Sequence, residues 1–541
     1  MKQGILAIAI VIFVLSSFVS ADENEVQVRI NNIYIDQYEV FDSTQSDWFF
    51  LADFLNSFHS LTKRYIIEDE LLFAEGDYLD IYDLEETERN LRKTELFTKV
   101  KIEIDSINEY YYDVYITTQD RWSLSPKLLL GTGGGDYNYG ARITEHNLFG
   151  TGTSISFEGL YRSENDIGWQ AMGKLSQPRL FRSEYGIDFQ ILSNQFKTEQ
   201  DLSLFKPFRT IETEFSYGTN LKNYFGSDFF YNRMADTTIL MPFHQRNGQF
   251  YFSKAWLRES RVFATAYLEL DDVNRGKPEF ERAYDNSGKF LLMFSSVTDD
   301  YEETTKLNYW QDEDLPVGGY GSATIGKIFP IGHKGEALYY IGAQGERSYY
   351  DGTLYLCGQV SGGSAFERNR GKYTYQEFLG HGFLRLGEDF LLATRVRQQT
   401  VWNWDKLRQL VLDTESGLRG YRNNALSGDN RVIANIELRA FPSFDLWVAR
   451  AGVTLFYDAG TVWDQDLKFD RTRWHHSAGI GIRIQNMKST GENSLFRIDF
   501  AFNFDENKFA GIIFTTDQLF KAFKDHQYRI PEVFGTEFDS E

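Results

Sequence analysis

Residues that could carry covalent chemistry are present in this chain, but they are poorly combined. Gly131, Gly133, Gly134 and Gly135 form a cluster that could cradle a phosphate. No Lys-Ser or Lys-Thr pair closes it, and no helix follows to turn its N-terminus toward an anion, so a hairpin turn is expected instead. His475 and His476 are adjacent, so on a strand they point to opposite faces and cannot share one ion. No Gly-x-Ser-x-Gly elbow occurs, and the many carboxylates form no recognisable acid–base pair. Cys357 is the single cysteine, which excludes an intrachain disulfide and a cysteine-based metal cluster. These residue types predict a protein that is not an enzyme, with no metal and no cofactor.

The elements that must position side chains are therefore the more informative feature. The chain has 541 residues, enough for at least two units. Its formal net charge of -22 argues against gripping nucleic acid phosphates, which needs clustered cations. Aromatics make up 16% of the residues and Pro only 9 of them, a composition suited to strands.

Lys2 precedes an apolar run from Ile5 to Val19, and Val19-Ser20-Ala21 forms a small-x-small cleavage site before Asp22 and Glu23. This predicts a secretory signal peptide over 1–21, cut after Ala21. Beyond it no apolar run is long enough for a spanning helix, so an exported chain is either soluble or inserted as a β-barrel.

Residues 26–120 read as a small α+β unit ordered strand, helices, strand, strand. Val26 to Ile35 alternates like a strand. From Tyr82 to Glu95, Leu84, Thr87 and Leu91 share a face with Leu96, Glu85, Glu86, Arg89, Arg92 and Lys93 point outward, and Asp83 stands at the N-cap position. Phe97 to Ile104 and Tyr112 to Thr118 supply the two following strands.

After Trp122 the period becomes two. Thr153, Ile155, Phe157, Gly159 and Tyr161 alternate with Ser154, Ser156, Glu158 and Arg162, with Leu160 the exception. The pattern returns in Val262–Leu270, Val432–Ala440, Ala478–Ile484 and Phe496–Phe504. One greasy and one polar face suit lipid outside and water inside, and about 400 residues at roughly 25 per strand and loop predict about sixteen strands over 121–520, with a C-terminal tail over 521–541.

Two regions resemble the BamA/TamA-type superfamily of outer-membrane assembly and secretion barrels, in which periplasmic POTRA domains precede a sixteen-stranded barrel. The first runs from Glu75-Gly76-Asp77 through Arg89 and Leu91 to Phe97 and Val100, and is similar to the second helix and following strand of a POTRA domain. The second opens with Gly140 to Gly152, similar to an early barrel hairpin. It continues with Gly417-Leu418-Arg419-Gly420-Tyr421, similar to the motif at the tip of the family's long sixth extracellular loop. The strand Asn435-Ile436-Glu437 follows, and then Phe456-Tyr457-Asp458-Ala459-Gly460. Phe509 to Phe520 resembles the family's closing strand.

With Ala451, Val453, Leu455 and Tyr457 toward lipid, Arg450, Thr454 and Asp458 face the lumen. The resemblance implies an inward loop whose Arg419 pairs with Asp458 near Glu437. It also implies a bacterial outer-membrane location, a POTRA-like unit in the periplasm, and unfolded or exported polypeptides as clients, with accessory periplasmic proteins as further partners. A dedicated secretion channel or a receptor barrel is the alternative.

Overall fold

The computed structural model describes residues 28–40 and 60–535, except 134–135, 211, 233–236, 257–259, 278–281, 299, 311, 333–334, 369, 405–409, 423–424, 444, 447–448, 488–494, 517 and 523–527. The expected signal peptide over 1–21 lies outside the described residues.

The N-terminal unit contains β1 (Arg29–Tyr38), α1 (Arg64–Glu68), α2 (Ile81–Lys93), β2 (Phe97–Ser106) and β3 (Tyr111–Asp120). Its sheet has the order β1-β3-β2, with β1 parallel and β2 antiparallel to β3. Ile30, Ile67, Leu84, Leu91, Phe97, Val114 and Ile116 form one buried cluster between sheet and helices. Two details differ from the sequence reading. Asp80, not Asp83, caps α2, accepting from the Tyr82 N–H at 2.9 Å, while Asp83 sits in the first turn where a negative charge complements the helix dipole. Glu86, expected outside, is buried beside Arg89, because α2 packs on the barrel mouth as well as on its own sheet.

The second unit is a closed antiparallel barrel of 20 strands, from β4 (Leu124–Gly133) to β28 (Lys508–Thr516), which are neighbours in the sheet. The expected count of sixteen is therefore corrected. The first six strands are only 8 to 10 residues long and follow one another through short connections, so strands recur more often than the assumed spacing allowed. Most later strands are longer, up to the 20 residues of β11 (Thr237–Trp256), whereas the last two, Leu495–Asn503 and β28, have 9 each.

Alternation sorts the faces. On β25 (Ala449–Trp463), Val453, Leu455 and Tyr457 are exposed on the outer wall, while Thr454, Phe456 and Asp458 are buried in the lumen. Phe157, Ile341, Ile436 and Ile480 repeat the outward apolar position. An exposed apolar exterior around a polar interior is the reverse of a soluble sandwich, and it suits a hydrocarbon surround.

The closing strand also differs from expectation. β28 ends at Thr516 and carries a bulge where Ala501 pairs Gly511 and Phe502 pairs Phe509. Phe520 is not part of the wall; it is buried inside the barrel with Trp310, Phe383 and Phe441.

Candidate functional site: a loop latched inside the barrel

The long connection between β20 (Phe390–Trp402) and β23 (Asn430–Ala440) turns into the lumen. With twenty strands it is the eighth connection on the side away from the N-terminal unit, and the third counted back from β28, so the family's sixth-loop position is not its position here. The two short strands of this loop, β21 (Leu410–Leu412) and β22 (Leu426–Gly428), pair with each other.

Two glycines shape the tip. Gly417 has φ of +115° and Gly420 +87°, conformations that side chains with a Cβ adopt at a cost. A Cβ on Gly417 would meet Arg395 Nη2 at 2.1 Å, and one on Gly420 would meet the Ala510 and Ala501 Cβ atoms at 3.0 and 3.2 Å. The backbone can therefore press Leu418 and Arg419 against the wall. Gly460 allows the same approach from the wall side, since a Cβ there would lie 2.9 Å from a Leu412 methyl.

Arg419 is fully buried and makes the central contacts. Its Nε and Nη2 donate to the two oxygens of Asp458, each at 2.8 Å, a bidentate pair. Nη1 donates to Glu437 at 2.7 Å and to Asp499 at 3.1 Å. The guanidinium also stacks over the Phe456 ring, 3.6 Å from its centroid. Asn435 joins loop and wall, donating to Asp458 at 2.7 Å and to the Gly417 carbonyl at 2.8 Å. Tyr421 donates to Asp505 at 3.0 Å, and Asn503 donates to the Gly420 carbonyl at 3.2 Å.

The three carboxylates are balanced by further buried cations. Arg439 donates to Glu437 at 2.8 Å, and Arg483 donates to Asp499 at 2.7 Å. Arg497 lies 3.5 Å from Asp499. Burying one arginine against one carboxylate recovers little of its lost hydration unless geometry and partners are complete. Here the charges are shared through a chain of ion pairs, which holds the loop in one register. Arg419, Gly420, Tyr421, Glu437, Asp458 and Gly460 thus converge at one place. The sequence reading gave no part in the latch to Asp499, Arg439, Arg483 or Asn435, although all four stand at lumen-facing parity on strands it had identified.

The N-terminal motif residues lie elsewhere. Leu91 and Phe97 are core residues, and Gly76 occupies a turn with φ of +93°. Arg89 stacks over Tyr301 at 4.6 Å, in the connection that holds the hairpin β14 (Tyr301–Thr305) and β15 (Asp312–Pro316). Arg92 pairs with Asp314 of the same hairpin at 3.2 Å. The Gly140–Gly152 motif forms a second dock. Asn147 donates to Thr62 at 2.8 Å, and the Lys63 N–H donates to the Gly150 carbonyl at 2.9 Å. The following connection adds Arg179 to Glu70 at 2.6 Å and Arg182 to Asp69 at 2.8 Å.

The decoys resolve plainly. Gly131 and Gly133 lie on β4, which pairs with β5 (Asp136–Glu145) as a hairpin, while Gly134 and Gly135 lie outside the described residues. His475 contacts Asp505, while His476 reaches Tyr457 on the other face at 2.8 Å.

An antiparallel barrel with an apolar exterior, and with a loop drawn inward onto buried carboxylates, defines a membrane-type β-barrel. Residues 386–518 match the Omp85 superfamily domain. Omp85-type barrels are outer-membrane proteins. Comparison of the sequence with curated proteins gives no match. Among solved structures, BamA from Haemophilus ducreyi lacking POTRA domains 1-3 aligns with TM-score 0.39 and 15% identity, over 90% of this chain and 83% of that one. CdiB from Acinetobacter baumannii aligns with TM-score 0.44 and 12% identity, over 90% and 73%. The FrpB iron transporter from Neisseria meningitidis (F5-1 variant) aligns with TM-score 0.41 and 8% identity, over 74% and 80%.

Proposed function

We propose that this chain is an outer-membrane assembly or translocation factor for polypeptide clients, working without catalysis or cofactor. The match of residues 386–518 to the Omp85 superfamily domain supports outer-membrane assembly or translocation in general; the client class and the working parts are our reading. In it the N-terminal unit is a single POTRA-like domain on the periplasmic side. Its sheet ends on β1 and β2; Ile30 of β1 already exchanges backbone bonds with Gly76 and Asp77, so β2 is the edge to which an extended client segment can add by backbone pairing. Arg419, Gly420, Tyr421, Glu437, Asp458 and Gly460 hold the inward loop, and Gly76, Arg89, Leu91 and Phe97 shape and dock the POTRA-like unit. The partners are the lipid bilayer, unfolded or exported polypeptides and accessory periplasmic proteins.

The observation that carries the reading is the Arg419 latch within the segment matching the Omp85 superfamily domain, because a barrel serving only as a passive pore has no need of a fully buried loop cation shared among three carboxylates. The test is depletion of the protein in its native cell, followed by quantification of the other outer-membrane barrels. A broad fall supports an assembly factor. Loss of a single exported protein, with the other barrels unchanged, replaces the reading with a dedicated secretion channel, and no loss replaces it with a receptor barrel.

A further inference from the structure

The segment that follows β28 re-enters the barrel. Gln518 accepts from Arg483 at 3.1 Å and donates to the Asn308 carbonyl at 3.0 Å. Phe520 and Ala522 are buried against Trp310, Phe383 and Phe441. Farther along, Tyr528 packs with Phe208 and Phe263, on the opposite part of the wall, and shares a hydrogen bond with Thr265 at 3.1 Å. Arg529 pairs with Glu346 at 2.6 Å. Val533 and Phe534 then bury among Tyr267, Tyr340 and Tyr375, where the Phe534 N–H donates to the Tyr340 hydroxyl at 3.0 Å.

The two described stretches rest on different parts of the wall, residues 518–522 against Arg483, Phe383 and Phe441 and residues 528–535 against Phe263, Tyr267 and Tyr340. A cavity of about 590 Å³ is lined by Glu70 and Asn90 of the N-terminal unit and by Tyr528 and Ile530 of this segment. None of the described tail residues pairs with a wall strand, so its hold consists of side-chain pockets and scattered polar contacts. Such a segment can leave without breaking a ladder of backbone bonds, unlike the wall itself. A barrel of this strand number has a lumen wide enough to conduct water unless something fills it.

We propose that residues 518–522 and 528–535 occupy a peptide-binding track across the lumen. They act as a displaceable plug, and an extended polypeptide with aromatic side chains matching Phe520, Tyr528 and Phe534 and a cation matching Arg529 competes for the track. The plug stands on the contacts alone; that the natural competitor is a client chain rests on the proposed function.

The test measures ion conductance of the purified full chain in planar lipid bilayers, beside a variant ending after Thr516 and a synthetic peptide covering residues 518–535. The truncated barrel conducts more by on the order of tenfold, as expected of an unplugged lumen, and the peptide closes it again while a scrambled peptide does not. Unchanged conductance in a truncated barrel that still shows heat-modifiable gel migration overturns the proposal, as does equal block by the scrambled peptide. Should truncation prevent folding, a G535C and Y375C pair in a C357S background serves instead, since a Cβ at position 535 would lie 3.1 Å from the Tyr375 Cβ. Oxidation then abolishes voltage-induced openings and reduction restores them; openings insensitive to oxidation, or no cross-link in the folded protein, overturn it. Neither arm depends on the depletion experiment, so failure of the plug and failure of the assembly reading are separable.

Discussion

Arg439 donates to the carbonyl oxygen of Phe520 at 2.8 Å. The same guanidinium holds Glu437, which in turn holds Arg419, so one buried chain of contacts joins the tail to the inward loop. Loop and tail meet again where Leu410 packs in one cluster with Val533 and Phe534. Disturbing either segment should therefore be felt by the other.

Asp458→Asn leaves shape but removes the charge that faces Arg419 across two hydrogen bonds. Breaking one partner of a buried pair costs about 3–5 kcal/mol. We expect the 413–421 loop to become open to limited proteolysis while the barrel stays folded. Unaltered protease resistance together with unaltered cellular function would refute the latch.

Gly420→Ala places a methyl at positive φ and within 3.0 Å of the Ala510 Cβ. The backbone term alone costs about 1 kcal/mol, and the contact adds to it. The expected outcome is a lower unfolding temperature on heat-modifiable gels and faster hydrogen exchange at Leu418 and Arg419. Gly76→Ala, at a positive φ but with open space around it, should show only the backbone part and leave the loop unaffected.

Gly150→Ala tests the dock of the N-terminal unit. The added Cβ would fall 2.3 Å from the Leu61 carbonyl oxygen, a backbone atom that cannot rotate away. The unit should loosen, exposing α1 to hydrogen exchange. Arg182→Ala removes a pair whose arginine is 55% exposed, and should change docking far less. Equal effects from the two variants would show that the ion pair, not the close backbone approach, sets the dock.

His146, in the connection after β5, is pushed below its ordinary pKa by burial, against the opposing pull of Glu95 and Glu145. The docked state thus prefers the neutral ring, and the undocked or unfolded state binds more protons. Stability of this contact should fall as pH drops through about 6.5, the ordinary histidine value. Hydrogen exchange of the dock at pH 7.5 and 5.5 measures the slope, and His146→Gln should flatten it.

Period-two alternation in the sequence was enough to sort the two faces, because one residue of strand displaces a side chain to the opposite side of a wall. Thr454 and Asp458 lie in the lumen and Leu455 and Tyr457 outside for that local reason alone. The glycines flanking Leu418 and Arg419 likewise announce a tip that needs positive φ. Strand number was not legible in the same way, since it depends on how short each strand and connection can be, and the first six strands are shorter than an average spacing suggests. The helix cap shifted from Asp83 to Asp80 because either carboxylate satisfies the local rule and packing chose between them.

The partners of Arg419 beyond its own motifs were decided only in three dimensions. Asp499 is 80 residues away in sequence, and it meets the loop because β26 (His475–Asn486) and β27 (Leu495–Asn503) continue the curvature that begins at β25. The tail is the fullest case. Phe520, Tyr528 and Phe534 look like an ordinary aromatic-bearing end, and no periodicity tells whether they face lipid, water or protein. The sequence by itself determined an antiparallel barrel, its inward and outward faces and the motif that bends one loop. Closure at twenty strands, the shared burial of Arg419 and the burial of Phe520 and Phe534 depend on long-range packing, which local patterns do not encode.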